Sequence, residues 1–570
     1  MPKKSQKKRW IYKPYDKRIA LLLSRGLPVS EMTGALLATR GINDIETAER
    51  FFNPRLENLH DPFLMCGMRD AVERILLAVE RREKIMIYGD YDVDGTTSTV
   101  ILKKALQLIG ADVSYYIPER LKDGYGLRED AMDMAHARGV HLIVSVDTGI
   151  RAQQVVEYAK TLGLDVIITD HHLPEEGLPQ AHAVLNPKRT DCNYPEKNLA
   201  GVGVAFKLAQ ALLTKTNQAH YIESFVKIAA IGTIADIVPL TGENRIIAKY
   251  GLLGLRHPRN FGLRALLEVA GVSQAKPLSG SDIGFRIGPR INAVGRMAGA
   301  SMAVDLFDAP DLQTATQMAN AMNVQNAARQ QIEADTLAQV LEQIESDKEL
   351  SNSYVAVVAG EGWHRGVIGI VASKVVDRLY RPTIIISVED GLGHGSGRSI
   401  PAFHLLAGLE SCADVFEKFG GHSHAAGVTI RADKIADLRR RLDAHARGVL
   451  KQEDLIPIVE IDCELSFKQA TLETLEEIRR LEPFGAGNPE PVFATTGAQV
   501  VSPPRIMKDK HLKLRLLHAG RWLDAVCWGG AELANEVFAG DIVNIAYTLS
   551  ENTYNGNTSA QLVLKDLKLQ

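Results

Sequence analysis

The chain has 570 residues, too many for one ordinary core, so three or four domains are expected. Its 45% apolar and 24% charged residues are those of a globular protein, and a net charge of −3 excludes a uniformly basic coat for nucleic acid. Any nucleic-acid contact must come from local patches, because affinity follows the phosphates neutralised locally. Cys66, Cys192, Cys412, Cys463 and Cys527 lie far apart, odd in number and without a CxxC pair. They read as reduced thiols rather than a disulfide framework or a thiolate zinc site.

The first residues are basic: Lys3, Lys4, Lys7, Lys8, Arg9, Lys13, Lys17 and Arg18 oppose only Asp16. A solvated, disordered tail is the expectation, ahead of a DNA contact. The apolar run Ile19 to Leu23 is too short for a secretory signal, and no stretch approaches the ~20 apolar residues of a membrane helix. A cytoplasmic protein with no membrane contact is therefore expected. The predicted division is a basic, helical N-terminal segment (1–60), a first α/β domain (61–305), a connecting helix (306–350), a second α/β domain (351–455) and a β-barrel (456–570).

Between about residues 84 and 187 short apolar runs alternate with helical patterns: Ile85 to Tyr88, Val113 to Ile117, Leu142 to Val146, Val166 to Thr169 and Ala183 to Leu185. Continuous β-branched runs separated by helices predict buried parallel strands in a doubly wound sheet. Residues 200–300 read as helical. Asp311 to Ala359 lacks glycine and proline, which predicts a helix of ~35 residues and ~50 Å, a rod rather than a packed element. Tyr354 to Val358 and Thr383 to Ile386 read as strands of a second α/β unit. The alternation in Leu512 to Leu516 and Ile542 to Ala546 suggests a small antiparallel barrel.

The acids carry the functional signal. Asp90, Asp92 and Asp94 follow the first of these strands, Asp147 the third, and Asp170-His171-His172 the fourth; Asp236 stands in an otherwise apolar segment. Ligands of open α/β sheets bind beyond the carboxyl ends of the strands, so these groups converge. Massed carboxylates repel unless cations neutralise them, and oxygen donors with imidazole suit Mn²⁺ or Mg²⁺. Two ions ~3.5–4 Å apart would stabilise nucleophile and leaving oxygen in an in-line displacement, which is phosphoester hydrolysis. Any single Asp after a strand is more often a cap or turn residue; four clusters together make a poor coincidence. For Asp90 and Asp170 individually, orienting a neighbour is nearly as good a reading as direct ligation.

At these residues the chain resembles the DHH phosphoesterase superfamily, and over nearly its whole length the RecJ family of single-strand-specific exonucleases. The match runs through Tyr88 to Gly95, Ile117 to Arg120 with Asp123 to Leu127, Asp147, Asp170 to His172, Gly232 to Leu240, Arg286 to Ala293 and Gly420 to Gly427. The resemblance implies a DHH catalytic domain, a DHHA1-type second domain and a C-terminal oligonucleotide-binding (OB) barrel. It implies 5′-to-3′ hydrolysis of single-stranded DNA to mononucleotides in DNA repair and recombination, using two divalent cations, Mn²⁺ or Mg²⁺. Carried over by motif, Asp90, Asp92, Asp94, Asp147, His171 and Asp236 become metal ligands. His172 faces the scissile phosphate, and the catalytic set is His172 with Asp170, His171 and Asp94.

Substrate contacts are expected from Arg120, Arg286, Arg290, Arg296 and Asn292. Ser396 and Arg398, on what reads as a glycine-rich loop (Gly393 to Ser399), could cradle a 5′-terminal phosphate. Gly421 and His422 would form the other wall of the cleft. On the barrel Lys513 and Trp522 suit a basic groove with stacking aromatics, while Trp528 reads as barrel core. Rival readings are a superfamily enzyme for short oligonucleotides or cyclic dinucleotides, a pyrophosphatase, and a non-catalytic single-strand-binding scaffold. A helicase and a single-strand-binding protein are expected partners of a monomer, since a single-strand nuclease needs its duplex opened.

Overall fold

The structure, a computed structural model, describes residues 8–119, 124, 126–272, 277–297, 299 and 301–570. Arg120, Asp123, Tyr125 and the lysines at 3, 4 and 7 lie outside the described residues. The basic start is not a free tail from Arg9 onward: β1 (Arg9–Tyr12) pairs in parallel with Ile458–Ile461 far along the chain. Three helices follow, Lys17–Gly26, Glu31–Ala38 and Ile45–Phe52. Their Leu23, Leu27, Leu36, Leu37 and Phe52 enter the same core as Phe493, Leu512 and Leu562 of the C-terminal barrel.

Strands β2 (Lys84–Tyr88), β3 (Val113–Tyr116), β4 (Val140–Val146), β5 (Asp165–Thr169) and β6 (Ala183–Leu185) form a parallel sheet of order β3-β2-β4-β5-β6. Alternate residues feed two cores. Ile85, Ile87, Leu142, Val144 and Ile167 face one helical layer, and Met86, Tyr88, Ile143, Val166 and Ile168 the other. Helices on both faces explain why the runs read as continuously apolar. After β2 the chain leaves for the edge at β3 and returns at β4, so the strand order reverses beside the β2 and β4 ends, where α/β sheets bind ligands.

The connecting helix, Leu312–Ser346, has 35 residues and begins at Asp311, whose side chain accepts from Thr314 N. It is packed rather than free. Ala315, Ala319, Met322, Asn326, Arg329, Glu333, Thr336, Val340 and Ile344 are buried at spacings of three or four, one face of a helix. The first three join the first domain's core and the last two join the core of the second domain. Between them the stripe is polar: Glu333 holds Arg329 at 2.9 Å and also pairs with Lys374, on the helix Ile368–Leu379. Low mean apolarity hid this face from the sequence.

The second sheet has order β10-β11-β9-β8-β7, from β7 (Ala356–Glu361), β8 (Thr383–Glu389), β9 (Leu392–Arg398), β10 (Phe416–Gly421) and β11 (Ala425–Arg431). Only β7 and β8 run parallel. The supposed glycine-rich loop is the central strand β9. A Cβ at Gly393, Gly395 or Gly397 would strike Ile386, Val428 or Leu405, so small residues alternate toward the apolar layer and Ser396 and Arg398 face the other side.

After β12 (Ile458–Ile461), the partner of β1, come β13 (Cys463–Glu464), β14 (Phe493–Val500), β15 (Arg505–Met507), β16 (His511–His518), β17 (Arg521–Cys527), β18 (Ile542–Tyr554) and β19 (Asn557–Leu569). Their order is β13-β14-β18-β19-β17-β16-β15, closed by a β14–β16 pairing. The barrel is not wholly antiparallel, since β13–β14 and β17–β19 are parallel. Nor is Trp528 in its core: it is 62% exposed, just beyond the end of β17 and edge-on to His511.

The polar joint in the connecting helix can be tested. Glu333→Ala leaves Arg329, which is 8% exposed, without its paired carboxylate and with the Asn326 amide oxygen still in reach. The variant should lose about 3–5 kcal/mol of stability in denaturant unfolding. A loss below ~0.5 kcal/mol would show that the joint contributes nothing.

Candidate metal centre

Each acidic side chain reaches the centre for a local reason. Asp92 caps the helix Val93–Leu108, its Oδ1 accepting from Gly95 N at 3.0 Å. Two residues on, Asp94 turns inward and accepts from Gly201 N at 2.6 Å and Val202 N at 2.7 Å, at the start of the helix Gly201–Lys215. Helix N-termini offer such free N–H groups to anions. Asp147 leaves β4 with a φ of 61°, a left-handed conformation unusual for a non-glycine residue. Asp236 ends the helix Ile222–Ala235.

His171 is the hub. Its Nε2 lies 3.2 Å from Asp147 Oδ1, 3.6 Å from Asp236 Oδ2 and 3.7 Å from Asp94 Oδ2. Three overlapping sets bring their donor atoms within 4.8 Å of one another: Asp90 with Asp92 and Asp147, Asp94 with His171 and Asp236, and Asp147 with His171 and His172. These sets contain oxygen and imidazole donors and no sulfur, the chemistry of Mn²⁺ or Mg²⁺. Asp90, Asp94, Asp147 and His171 are all under 7% exposed.

The electrostatics say the same. Burial pushes Asp94 up, with Asp92 adding to it against the opposing N–H groups of Gly201 and Val202. Asp236 is raised by burial, then by Asp94 and Asp92; Asp147 by burial and by the charges of Asp94, Asp92, Asp90 and Asp236. Burial also drives His171 far below the usual imidazole value, leaving it neutral, as a metal ligand must be. Burial and mutual repulsion thus favour protons on these carboxylates, a cost that divalent cations would relieve. The residues present fit a divalent pair.

Asp170 plays a different part. Its Oδ1 accepts from His171 N and His172 N and lies 2.7 Å from His172 Nδ1, while Oδ2 accepts from Ile150 N at 2.9 Å. The carboxylate is consumed in orienting His172. Burial opposes its ionisation, but the contacts with His172 and Ile150 win and hold it below the ordinary carboxylate range. Burial likewise opposes charge on His172, and Asp170 overcomes it, raising the imidazole. His172 and Asp170 line a cleft of about 670 Å³ whose far wall carries Gly421 and His422 of the second domain.

Other expected residues are placed as follows. Asn292 Oδ1 accepts from Val93 N at 3.1 Å and so steadies the start of the Asp94 helix. Arg286 pairs with Asp282, Arg290 Nε donates to Asn323, and Arg296 donates to Gly366 O across to the second domain. Ser396 and Arg398 stand against Gly369 in the helix Ile368–Leu379. On the barrel, Lys513 and Arg515 pair with Asp524, and Arg515 also lies over the exposed Trp522 ring.

Sequence reasoning missed Asn186, fully buried, which donates to His172 O and accepts from Lys188 N. It also missed Gly201. A Cβ there would lie 2.6 Å from Asp147 Oδ1, and one at Gly95 would lie 2.5 Å from Asp90 O. The pair Gly201 and Gly203 at a helix start was the available signal.

A parallel sheet that gathers aspartates and a DHH triplet at its carboxyl edge, facing a second α/β wall, defines a metal-dependent DHH phosphoesterase. Residues 84–233 match the DHH family N-terminal domain, 351–448 the DHHA1 domain and 461–566 the RecJ OB domain. The chain is 40% identical to the single-stranded-DNA-specific exonuclease RecJ of Bacillus subtilis, over 99% of this chain and 71% of that protein. With the protein of that name from Escherichia coli it shares 35% identity, over 93% and 95% of the two chains. The crystal structure of RecJ with Mn²⁺ from Thermus thermophilus superposes with a TM-score of 0.84 at 29% identity, covering 98% of this chain and 79% of that one. The chain belongs to the RecJ family.

Gly201→Ala should therefore keep the far-ultraviolet spectrum of the parent but displace Asp147, weakening Mn²⁺ binding at least ~10-fold by calorimetry. Unchanged Mn²⁺ affinity would mean that the close approach has no function.

Proposed function

We propose that this chain is a single-stranded-DNA-specific exonuclease that hydrolyses phosphodiesters from the 5′ end and releases 5′-mononucleotides, with a role in DNA repair and recombination. The observation that carries this reading is the carboxylate–imidazole cluster, which reaches through His172 to a cleft lined also by Gly421 and His422 of the second domain. The substrate named for the family's members and the Mn²⁺ and Mg²⁺ complexes of the Thermus thermophilus protein support it.

Asp90, Asp92, Asp94, Asp147, His171 and Asp236 would hold two divalent cations, Mn²⁺ or Mg²⁺. When bound, these supply charge neutralisation and a water acidic enough to serve as nucleophile near neutral pH. With its Nδ1 held toward Asp170, which favours the charged ring, His172 would serve as proton donor to a phosphate oxygen. Asp170 acts through His172 as a positioning residue. Burial, and then the nearby His424, Arg398 and His404, hold His422 below the usual imidazole value; the same basic neighbours would suit a phosphate on the far wall. Ser396, Arg398, Gly421, Arg286, Arg290, Arg120 and Asn292 stay on the substrate side of this proposal.

We place catalysis in 61–305, the bridging helix in 306–350, the second wall in 351–455 and single-strand holding in the barrel at 456–570. The exposed Trp522 and the Lys513–Arg515 strand offer a stacking and basic surface, as sequence-tolerant single-strand binding requires. The substrate chemistry favours a helicase and a single-strand-binding protein as partners of a cytoplasmic monomer. Among the described residues no helix is long and apolar enough to cross a membrane.

End-labelled DNA tests the reading. Stepwise loss from the 5′ end of single strands, sparing blunt duplex and abolished by Asp94→Ala or Asp147→Ala, is expected. Cleavage confined to di- and trinucleotides, or binding without cleavage, would overturn it. His172→Ala should lower kcat about 10²–10⁴-fold while Mn²⁺ affinity stays within a few-fold. An equal loss in both would make His172 chiefly a ligand.

A further inference from the structure

The residue after Asp236 is an anomaly. Ile237 has a φ of 62° and is 74% exposed. It occupies the position just past the helix Ile222–Ala235 and its cap Asp236, where left-handed backbone normally selects glycine or asparagine. A β-branched side chain there is strained by about 1–2 kcal/mol. Burial within the chain does not offset that strain, because the side chain points into solvent.

Its location is not arbitrary. Asp236 Oδ2 lies 3.6 Å from His171 Nε2, and Ile237 is the next residue along the chain. A second exposed apolar residue, Leu173 at 66%, follows His172. Two exposed apolar residues, each directly following a residue of the cluster, Asp236 and His172, match the uncharged part of a nucleotide, whose charge goes to the centre itself.

We propose that Ile237 contacts the nucleoside beside the scissile phosphate, and that its strained backbone aims the side chain at that base. Contact with an apolar group reads no base edge, so it grips every nucleotide alike. The inference rests on the exonuclease reading given above.

The test compares Ile237→Gly, Ile237→Asn and Ile237→Val with the parent chain in Mn²⁺, on a 5′-phosphorylated single strand and on the same strand lacking its first two bases. Glycine and asparagine relieve the strain, so both should raise the unfolding midpoint by about 1–3 °C. Both should nevertheless raise KM about tenfold on the complete strand with kcat within a few-fold, and Val should restore KM. On the abasic strand the parent should lose most of its advantage. Unchanged KM in Gly and Asn, a lowered midpoint in both, or losses that simply add on the abasic strand would each overturn the proposal. Failure of the parent chain to cut single strands would instead overturn the exonuclease reading.

Discussion

Mutual repulsion among buried carboxylates is the constraint around which this molecule is arranged. Asp90, Asp94 and Asp147 are nearly dry and Asp236 lies against them, with a neutral imidazole at the hub. Such a group is tolerable only with cations, protons or directed N–H donors. The chain supplies donors from the start of the helix Gly201–Lys215 and leaves the remaining charge to divalent ions. Gly95 and Gly201 follow from the same demand, since any side chain there would force the acids apart.

Asp170 shows how sharply neighbouring residues can differ. It belongs to the triplet after which the superfamily is named, yet its oxygens are taken by the backbone of His171, His172 and Ile150 and by the His172 ring. The Asp170 carboxylate thereby holds the Nδ1 edge of the histidine facing the cleft and favours charge on its ring. Asn186 does comparable work one loop away, tying the His172 carbonyl to the segment that follows β6.

The cleft depends on something more remote. Its two walls belong to different sheets, and their spacing is set by a helix of 35 residues that is apolar at both ends and polar in the middle. The apolar ends weld it into each domain; the Arg329–Glu333–Lys374 joint lies where the two bodies meet. The C-terminal barrel in turn borrows its core from Leu23, Leu36 and Leu37 at the other end of the chain. Chain ends and domains are thus interlocked by burial rather than strung in line.

What the sequence by itself determined is the set of features that follow from local patterning. The strands at Ile85–Tyr88 and Leu142–Val146, the long helix and the acids after each strand are legible because period, length and residue type act over a few neighbours. The tertiary structure alone decided that an Asp92 oxygen caps a helix and that both oxygens of Asp170 are taken by its neighbours. It also put Gly393–Arg398 inside a sheet rather than in a loop, and Trp528 outside the barrel. Glycine alternation looks like a turn until the layer it must fit against is known. An aromatic looks like core until the closure of the sheet fixes its side. Both depend on partners distant in the chain, and no local period encodes those.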